Sequence, residues 1–122
     1  MVCSYYDVAL DGGDEAFSID ASSITFGPGC LREAGDVARS LGIARIAVFT
    51  DASVGGTEHL VTVLTSLSAA GVDTALYDEV RVEPTDESFT AATKFAADAR
   101  VDGFISVGGG SVIDTTKAAN LY

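Results

Sequence analysis

Hydrophobic positions in the middle of the chain fall into short, nearly continuous runs. Three such runs are rich in β-branched and aromatic residues: Arg45–Thr50, Thr74–Val80 and Gly103–Val107. Each run is followed by polar residues or glycine. Such runs are typical of strands that are buried on both faces, as they are in a parallel sheet. The pattern therefore predicts three parallel strands at the centre of the fold.

Helical periodicity separates these strands. Apolar residues recur every three or four positions in three segments: 31–41, 57–70 and 86–100. Gly42 and Gly71 follow the first two segments, as expected of helix C-caps, and Thr85 is a suitable N-cap for the third. A fourth helical pattern ends the chain. The alternation, with about 30 residues per unit, predicts an α/β fold, a Rossmann-like parallel sheet with helices on both faces.

The N-terminal part of the chain has a weaker pattern. Residues 1–15 are polar and contain glycine, and we predict a flexible segment there. Apolar residues alternate within 17–19 and again within 24–26, with a slip in phase between them. Alternation predicts two short strands joined across 20–23, which form an N-terminal strand pair. The GPG sequence that follows is typical of a turn.

Composition limits the partners of the chain. Its 122 residues are 48% hydrophobic and 20% charged, which suits one globular domain. A net charge of −11 argues against nucleic acid or anionic membrane as a partner, because both require clustered basic residues. No signal-like or membrane-spanning segment is present, which predicts a cytoplasmic protein. Two cysteines and a single histidine, His59, are too few for a zinc site.

Most of the residues that could bind a ligand lie in the stretch FISVGGGSVIDTTKAANLY, 104–122. A predicted strand runs into Gly108, Gly109 and Gly110, and a helical pattern begins at Ser111 or one residue later. The first N–H groups of a helix lack intrahelical acceptors, and glycine lets an anion approach them closely. Ser111 could cap the helix and add a hydroxyl donor. We therefore predict a phosphate or pyrophosphate site; a turn without ligand is the alternative, since G-x-G-x-x-G is absent.

Two aspartates are placed where they could contact other parts of a dinucleotide. Asp51 ends the first strand of the parallel sheet, so it should lie at the same edge as the glycines. A carboxylate at that edge can accept hydrogen bonds from both hydroxyls of a ribose. A helix N-cap or a surface charge is the alternative for Asp51. Asp114, on the first turn of the last helix, either stabilises the helix N-terminus or contacts the cofactor.

Several of these segments resemble one enzyme family. GGGSVIDTTKAANLY resembles the motif of the iron-containing (group III) alcohol dehydrogenases, whose N-terminal domain binds NAD(P). VRVEPTDESF together with KAANLY resembles the hydroxyacid–oxoacid transhydrogenase branch, and SSITFGPGCLREAG resembles the family's opening strand, turn and first helix. The resemblance covers residues 16–122. It implies a truncated N-terminal NAD(P)-binding domain from which the helical domain that holds iron or another divalent metal is absent.

The resemblance also assigns roles to individual residues. It implies that Gly108–Ser111 holds the pyrophosphate, and that Asp51 holds the adenosine ribose and favours NAD over NADP. Asp114 would lie beside the pyrophosphate or the nicotinamide. Lys117 matches the motif, but it could simply pair with a carboxylate. Glu83 stands where many relatives have asparagine, so no cofactor contact is assigned to it.

A reaction for the parent enzyme follows from the same resemblance. Hydride would pass between a hydroxyacid, such as 4-hydroxybutyrate, and NAD, and the NADH formed could reduce 2-oxoglutarate. The 122-residue chain alone would be inactive, without catalytic or metal-binding residues. A truncated sheet exposes an edge, so we expect a homodimer or higher association. The alternatives are a stand-alone nucleotide-binding module without catalysis and a related lyase or synthase, such as a dehydroquinate synthase, against which DTTKAANLY argues.

Overall fold

A three-stranded parallel sheet with helices on both faces forms the centre of the protein, which confirms the predicted fold class. The computed structural model describes residues 2–5, 17–20 and 23–121. The strands in these residues are β1 (Val2–Tyr5), β2 (Phe17–Asp20), β3 (Arg45–Asp51), β4 (Asp73–Val80) and β5 (Gly103–Val107). The helices are α1 (Ala34–Ser40), α2 (Ala52–Gly55), α3 (Glu58–Ala69), α4 (Asp86–Ala99) and α5 (Gly110–Leu121). A 3-10 turn at Cys30–Glu33 leads into α1.

The order of the strands places side by side two strands, β3 and β5, whose following helices lie on opposite faces of the sheet. β3 lies between β4 and β5 and is parallel to both. Helices α1 and α3 pack on one face of the sheet, whereas α4 and α5 pack on the other. The chain therefore leaves β3 towards one face and leaves β5 towards the opposite face. A crevice at such a topological switch point, beyond the carboxyl ends of the strands, is the usual ligand site of open α/β sheets.

The central strand explains why the apolar runs are continuous. Ile46 and Val48 pack against α1 and α3, and Ala47 and Phe49 pack against α4 and α5; none of the four is more than 3% exposed. Burying a side chain as large as Phe49 stabilises the fold by about 2 to 3 kcal/mol. The Phe49 ring lies 5.2 to 6.1 Å, between centroids, from three other rings: Tyr77, Phe95 and Phe104.

The helix ends predicted from Gly42, Gly71 and Thr85 are confirmed. Gly42 and Gly71 adopt φ values of 74° and 77°, the left-handed conformation that glycine accommodates without strain. Thr85 and Ser88 form a reciprocal capping box at the start of α4. The Thr85 hydroxyl accepts the Ser88 N–H at 3.2 Å, and the Ser88 hydroxyl accepts the Thr85 N–H at 2.8 Å. These local signals fixed the helix boundaries to within about two residues, the usual uncertainty of such boundaries.

The N-terminal strand pair differs from the one predicted. β2 pairs antiparallel with β1, residues 2–5, and not with a strand at 24–26. The prediction of a strand at 24–26 was wrong, because that segment has no strand partner among the described residues. The side chains of Ile24 and Phe26 are 88% and 100% exposed, so the alternating pattern does not mark a buried face. Most of the segment 1–15 that we predicted to be flexible lies outside the described residues.

Candidate functional site

The carboxyl ends of β3 and β5 bring two of the predicted site segments together. Thr50 pairs with Val107 in the last step of the β3–β5 ladder. Asp51 and Gly108 are each one residue beyond this pair, and neighbouring strands lie about 4.8 Å apart. Asp51 and the glycine turn therefore lie side by side at the switch point, where the sequence placed them.

The glycine turn starts α5 earlier than predicted. α5 begins at Gly110, and the carbonyl of Gly109 accepts the N–H of Ile113 at 3.1 Å. Gly109 is thus the N-cap residue, and the prediction that Ser111 caps the helix was wrong. Glycine is an acceptable N-cap residue, so a helix can begin directly after the second glycine of the run.

The three glycines differ in what they provide. Gly108 has a φ of 155°, and a Cβ there would lie 2.6 Å from Cγ2 of Val112, so the close strand-to-helix turn requires glycine. At Gly109 and Gly110 a Cβ would meet no atom within 4 Å, which means that open space lies in front of both. The positions that a Cβ would take at these two glycines are therefore free of other described residues.

The start of α5 presents unsatisfied donors to this open space. Among the described residues, the N–H groups of Gly110, Ser111 and Val112 have no hydrogen-bond acceptor. Gly110 is exposed, Ser111 is half-buried and Val112 is fully buried, so the N–H groups of Gly110 and Ser111 are the ones that a ligand can reach. Unpaired N–H groups and the positive end of the helix dipole together form an anion-binding site.

The Ser111 hydroxyl is used within the protein. It donates a hydrogen bond to the carbonyl of Val82, which lies in the loop between β4 and α4. The hydroxyl proton is therefore committed to this loop, and Ser111 offers an anion its backbone N–H. Sequence reasoning missed this contact, because the two residues are 29 positions apart and no local signal links them.

Asp51 performs the structural role that the sequence left open as its alternative. The carboxylate is half-buried, and Oδ1 accepts the N–H of Val54 at 2.8 Å, which caps the short helix α2. The hydrophobic pattern did not reveal α2, since its four residues span hardly more than one turn. Oδ2 of Asp51 has no hydrogen-bond partner in the described part of the chain. One carboxylate oxygen is therefore left for a ligand.

The remaining polar candidates carry no contact that fixes their role. Asp114 and Lys117 are exposed on α5, and neither has an ion-pair partner in the described part of the chain. His59 is exposed on α3. Within residues 2–5, 17–20 and 23–121 no group of three or more histidine, cysteine or acidic side chains could hold a metal ion. The described residues therefore fit an anion and do not fit a metal centre.

The chain is similar in sequence to known proteins. The family model described as iron-containing alcohol dehydrogenase matches residues 21–122. The mitochondrial hydroxyacid-oxoacid transhydrogenase of Xenopus laevis is 46% identical over 109 residues, which cover 89% of this chain and 24% of that protein.

Solved structures give the same result for the fold. An alcohol dehydrogenase from Oenococcus oeni matches with a TM-score of 0.71 and 30% identity, over 76% of this chain and 25% of that one. The NADH-dependent butanol dehydrogenase A of Thermotoga maritima matches with a TM-score of 0.71 and 26% identity, over 79% of this chain and 25% of that one. The chain thus spans about a quarter of the length of these relatives. It belongs to the iron-containing alcohol dehydrogenase family.

Proposed function

We propose that this chain binds NAD as the N-terminal part of an oxidoreductase. The observation that carries the proposal is the open space in front of Gly109 and Gly110, which follow the last β3–β5 pair by two and three residues. The N–H donors beside this space have no acceptor among the described residues. Unpaired N–H groups at a helix start suit a pyrophosphate. The Thermotoga maritima relative is an NADH-dependent butanol dehydrogenase, which supports the same class of cofactor.

Each end of the site would contact a different part of the dinucleotide. The N–H groups of Gly110 and Ser111 would hold the pyrophosphate, and Oδ2 of Asp51 would accept a ribose hydroxyl. A carboxylate at this place repels the 2′-phosphate of NADP, so NAD is the expected cofactor. Asp114 would lie beside the pyrophosphate or the nicotinamide. The bound nicotinamide would supply or accept the hydride of the reaction.

The reaction of the whole protein is proposed from its relatives. The name of the Xenopus laevis relative, a hydroxyacid-oxoacid transhydrogenase, supports the transfer of hydride between a hydroxyacid and an oxoacid. The sequence resemblance implies 4-hydroxybutyrate as the hydroxyacid and 2-oxoglutarate as the oxoacid. Iron, if it takes part, would need ligands other than the described residues of this chain. We therefore propose that the 122-residue chain binds the cofactor without turnover, as a stand-alone nucleotide-binding module also would. We also propose that it associates as a homodimer or a higher oligomer.

The location of the protein is a separate proposal. No helix in the described segments is long and apolar enough to cross a membrane. The Xenopus laevis relative is named as mitochondrial, whereas the sequence of this chain predicts the cytoplasm. Fractionation of cells that express the chain decides between the two.

Calorimetric titration of the chain with NAD, NADP and ADP-ribose tests the binding proposal. We expect heat with NAD and ADP-ribose and weaker binding of NADP. Asp51→Ser is the matched variant, because serine also caps helices but carries no charge. This substitution should weaken the binding of NAD and remove the preference for NAD over NADP, while α2 is retained. Absence of heat with all three ligands would contradict the proposed function.

A further inference from the structure

One side-chain hydrogen bond joins the two strands whose ends form the candidate site. Thr50 is fully buried, and its Oγ1 donates to the carbonyl of Val107 at 2.8 Å. These two residues form the last pair of the β3–β5 ladder. The residue after Thr50 is Asp51 and the residue after Val107 is Gly108. The bond therefore lies immediately beneath both anchors that the proposed function assigns to the dinucleotide.

The opposite side of β3 offers no equivalent constraint. Phe49 pairs with Tyr77 on β4, but Asp51 pairs with Val80, so β4 contains one extra residue at this level. Such a bulge interrupts the regular ladder and bends the strand that carries it. Backbone pairing with β4 is thus irregular at the end of β3. The position of Asp51 therefore depends more strongly on the hydrogen bond between Thr50 and Val107.

Thr50 also faces the helix that Asp51 caps. A Cβ placed on Gly55, the last residue of α2, would lie 3.7 Å from Cγ2 of Thr50. The methyl group of Thr50 is therefore directed towards α2, while its hydroxyl bonds to β5. A single buried side chain thus lies between the helix that the carboxylate caps and the strand that leads into the glycine turn.

We propose that Thr50 is a positioning residue that sets the spacing between Asp51 and the glycine turn, so that one dinucleotide contacts both. The inference rests on the proposed function, since it concerns the same two anchors. A ligand that reaches both anchors depends on their separation, whereas a fragment that reaches only one does not. Thr50 touches no ligand itself and acts through its neighbours.

Thr50→Val is the informative substitution, because valine preserves the shape of threonine and removes only the donor. ADP-ribose spans both anchors, adenosine reaches only Asp51, and inorganic pyrophosphate reaches only the turn. A net hydrogen bond corresponds to about a two- to tenfold change in an equilibrium. We expect the Kd of ADP-ribose, measured by calorimetry, to rise by about that factor. The Kd values of the two fragments, measured by NMR titration, should change by less than about twofold.

Two further variants distinguish positioning from general loosening. Thr50→Ser keeps the hydroxyl and should restore ADP-ribose binding. Thr93→Val removes a bond of the same kind, from Thr93 Oγ1 to the Phe89 carbonyl at 2.8 Å within α4, and should leave ADP-ribose binding unchanged. Thermal unfolding of each variant confirms that it is folded.

Three results would overturn the inference. An unchanged ADP-ribose affinity in Thr50→Val would remove the positioning role while the proposed function stands. An equal loss for ADP-ribose and for both fragments would show that the substitution merely loosens the fold. Failure of the unmodified chain to bind ADP-ribose would overturn the proposed function, and the positioning role with it.

Discussion

Replacing Gly110 with alanine should separate ligand binding from folding. Gly110 is the first residue of α5, its φ is not positive, and a Cβ there would meet no atom within 4 Å. The fold can therefore accept the methyl group without strain. Alanine is favoured over glycine within a helix by about 0.5 to 1 kcal/mol. The free energy of unfolding of Gly110→Ala should equal or exceed that of the unmodified chain.

Binding should change in the opposite direction. The Cα–Cβ bond of a helical residue tilts towards the helix N-terminus, so the methyl group at Gly110 would project into the space in front of the turn. A phosphate in that space would lose at least one charge-assisted hydrogen bond, which contributes about 1.5 to 3 kcal/mol. This loss corresponds to about a 10- to 100-fold higher Kd for ADP-ribose.

Gly71→Ala is the reciprocal control for calorimetry and thermal unfolding. Gly71 has a φ of 77° after α3, near the amino end of β4, and is thus at the opposite edge of the sheet. Alanine in the left-handed conformation costs about 1 to 2 kcal/mol, so this variant should be less stable and should bind ADP-ribose normally. If Gly110→Ala bound ADP-ribose as tightly as the unmodified chain, the glycine turn would not be the phosphate site.

Three further predictions concern stability and ionisation. Gly35→Ala should destabilise the chain by about 2 kcal/mol or more in denaturant unfolding, because its Cβ would overlap the Ser66 carbonyl. Backbone N–H groups at the start of β3 lower the pKa of Asp102 below its ordinary value. Asp102→Asn should therefore remove stability that is present when the carboxylate is ionised and lost as acid protonates it. Burial, and then the Glu79 charge, raise the pKa of Tyr77 above its ordinary value, so Glu79→Gln should lower this pKa in an absorbance titration that uses Tyr77→Phe as the reference.

Much of the fold could be predicted because its signals are local. β3 is buried on both faces, so its apolar run needs no knowledge of its partners, and Gly42, Gly71 and Thr85 mark helix ends by their own backbone chemistry. The N-terminal strands are different. β1 has only four residues and depends on a partner more than ten positions away, which the sequence does not identify. The apolar side chains at 24 and 26 alternate as in a strand but are exposed, so an alternating pattern alone does not establish a buried face.

The candidate site could be predicted in outline but not in its hydrogen bonds. Parallel strands end at one edge of a sheet, and this rule alone placed Asp51 next to the glycines. Which atoms satisfy one another depends on the loops: the Ser111 hydroxyl bonds to Val82, and Gly109 caps α5 in its place. Thr50 could not be singled out, because a threonine within an apolar run is equally consistent with a strand residue that makes no side-chain hydrogen bond.

The capping role of Asp51 and the ribose contact that we propose for it support each other physically. Capping α2 uses Oδ1 and fixes the orientation of the carboxylate, so its rotamer entropy is lost on folding and not on binding. Oδ2 then lies at the carboxyl edge in a set orientation, next to the turn that would hold the pyrophosphate. If Asp51 were only a cap, Asp51→Ser would leave NAD binding unchanged, since serine satisfies Val54 equally well. If the free oxygen binds ribose, the same substitution lowers the affinity for NAD and raises the affinity for NADP relative to that for NAD. Helix α2 remains intact in both cases.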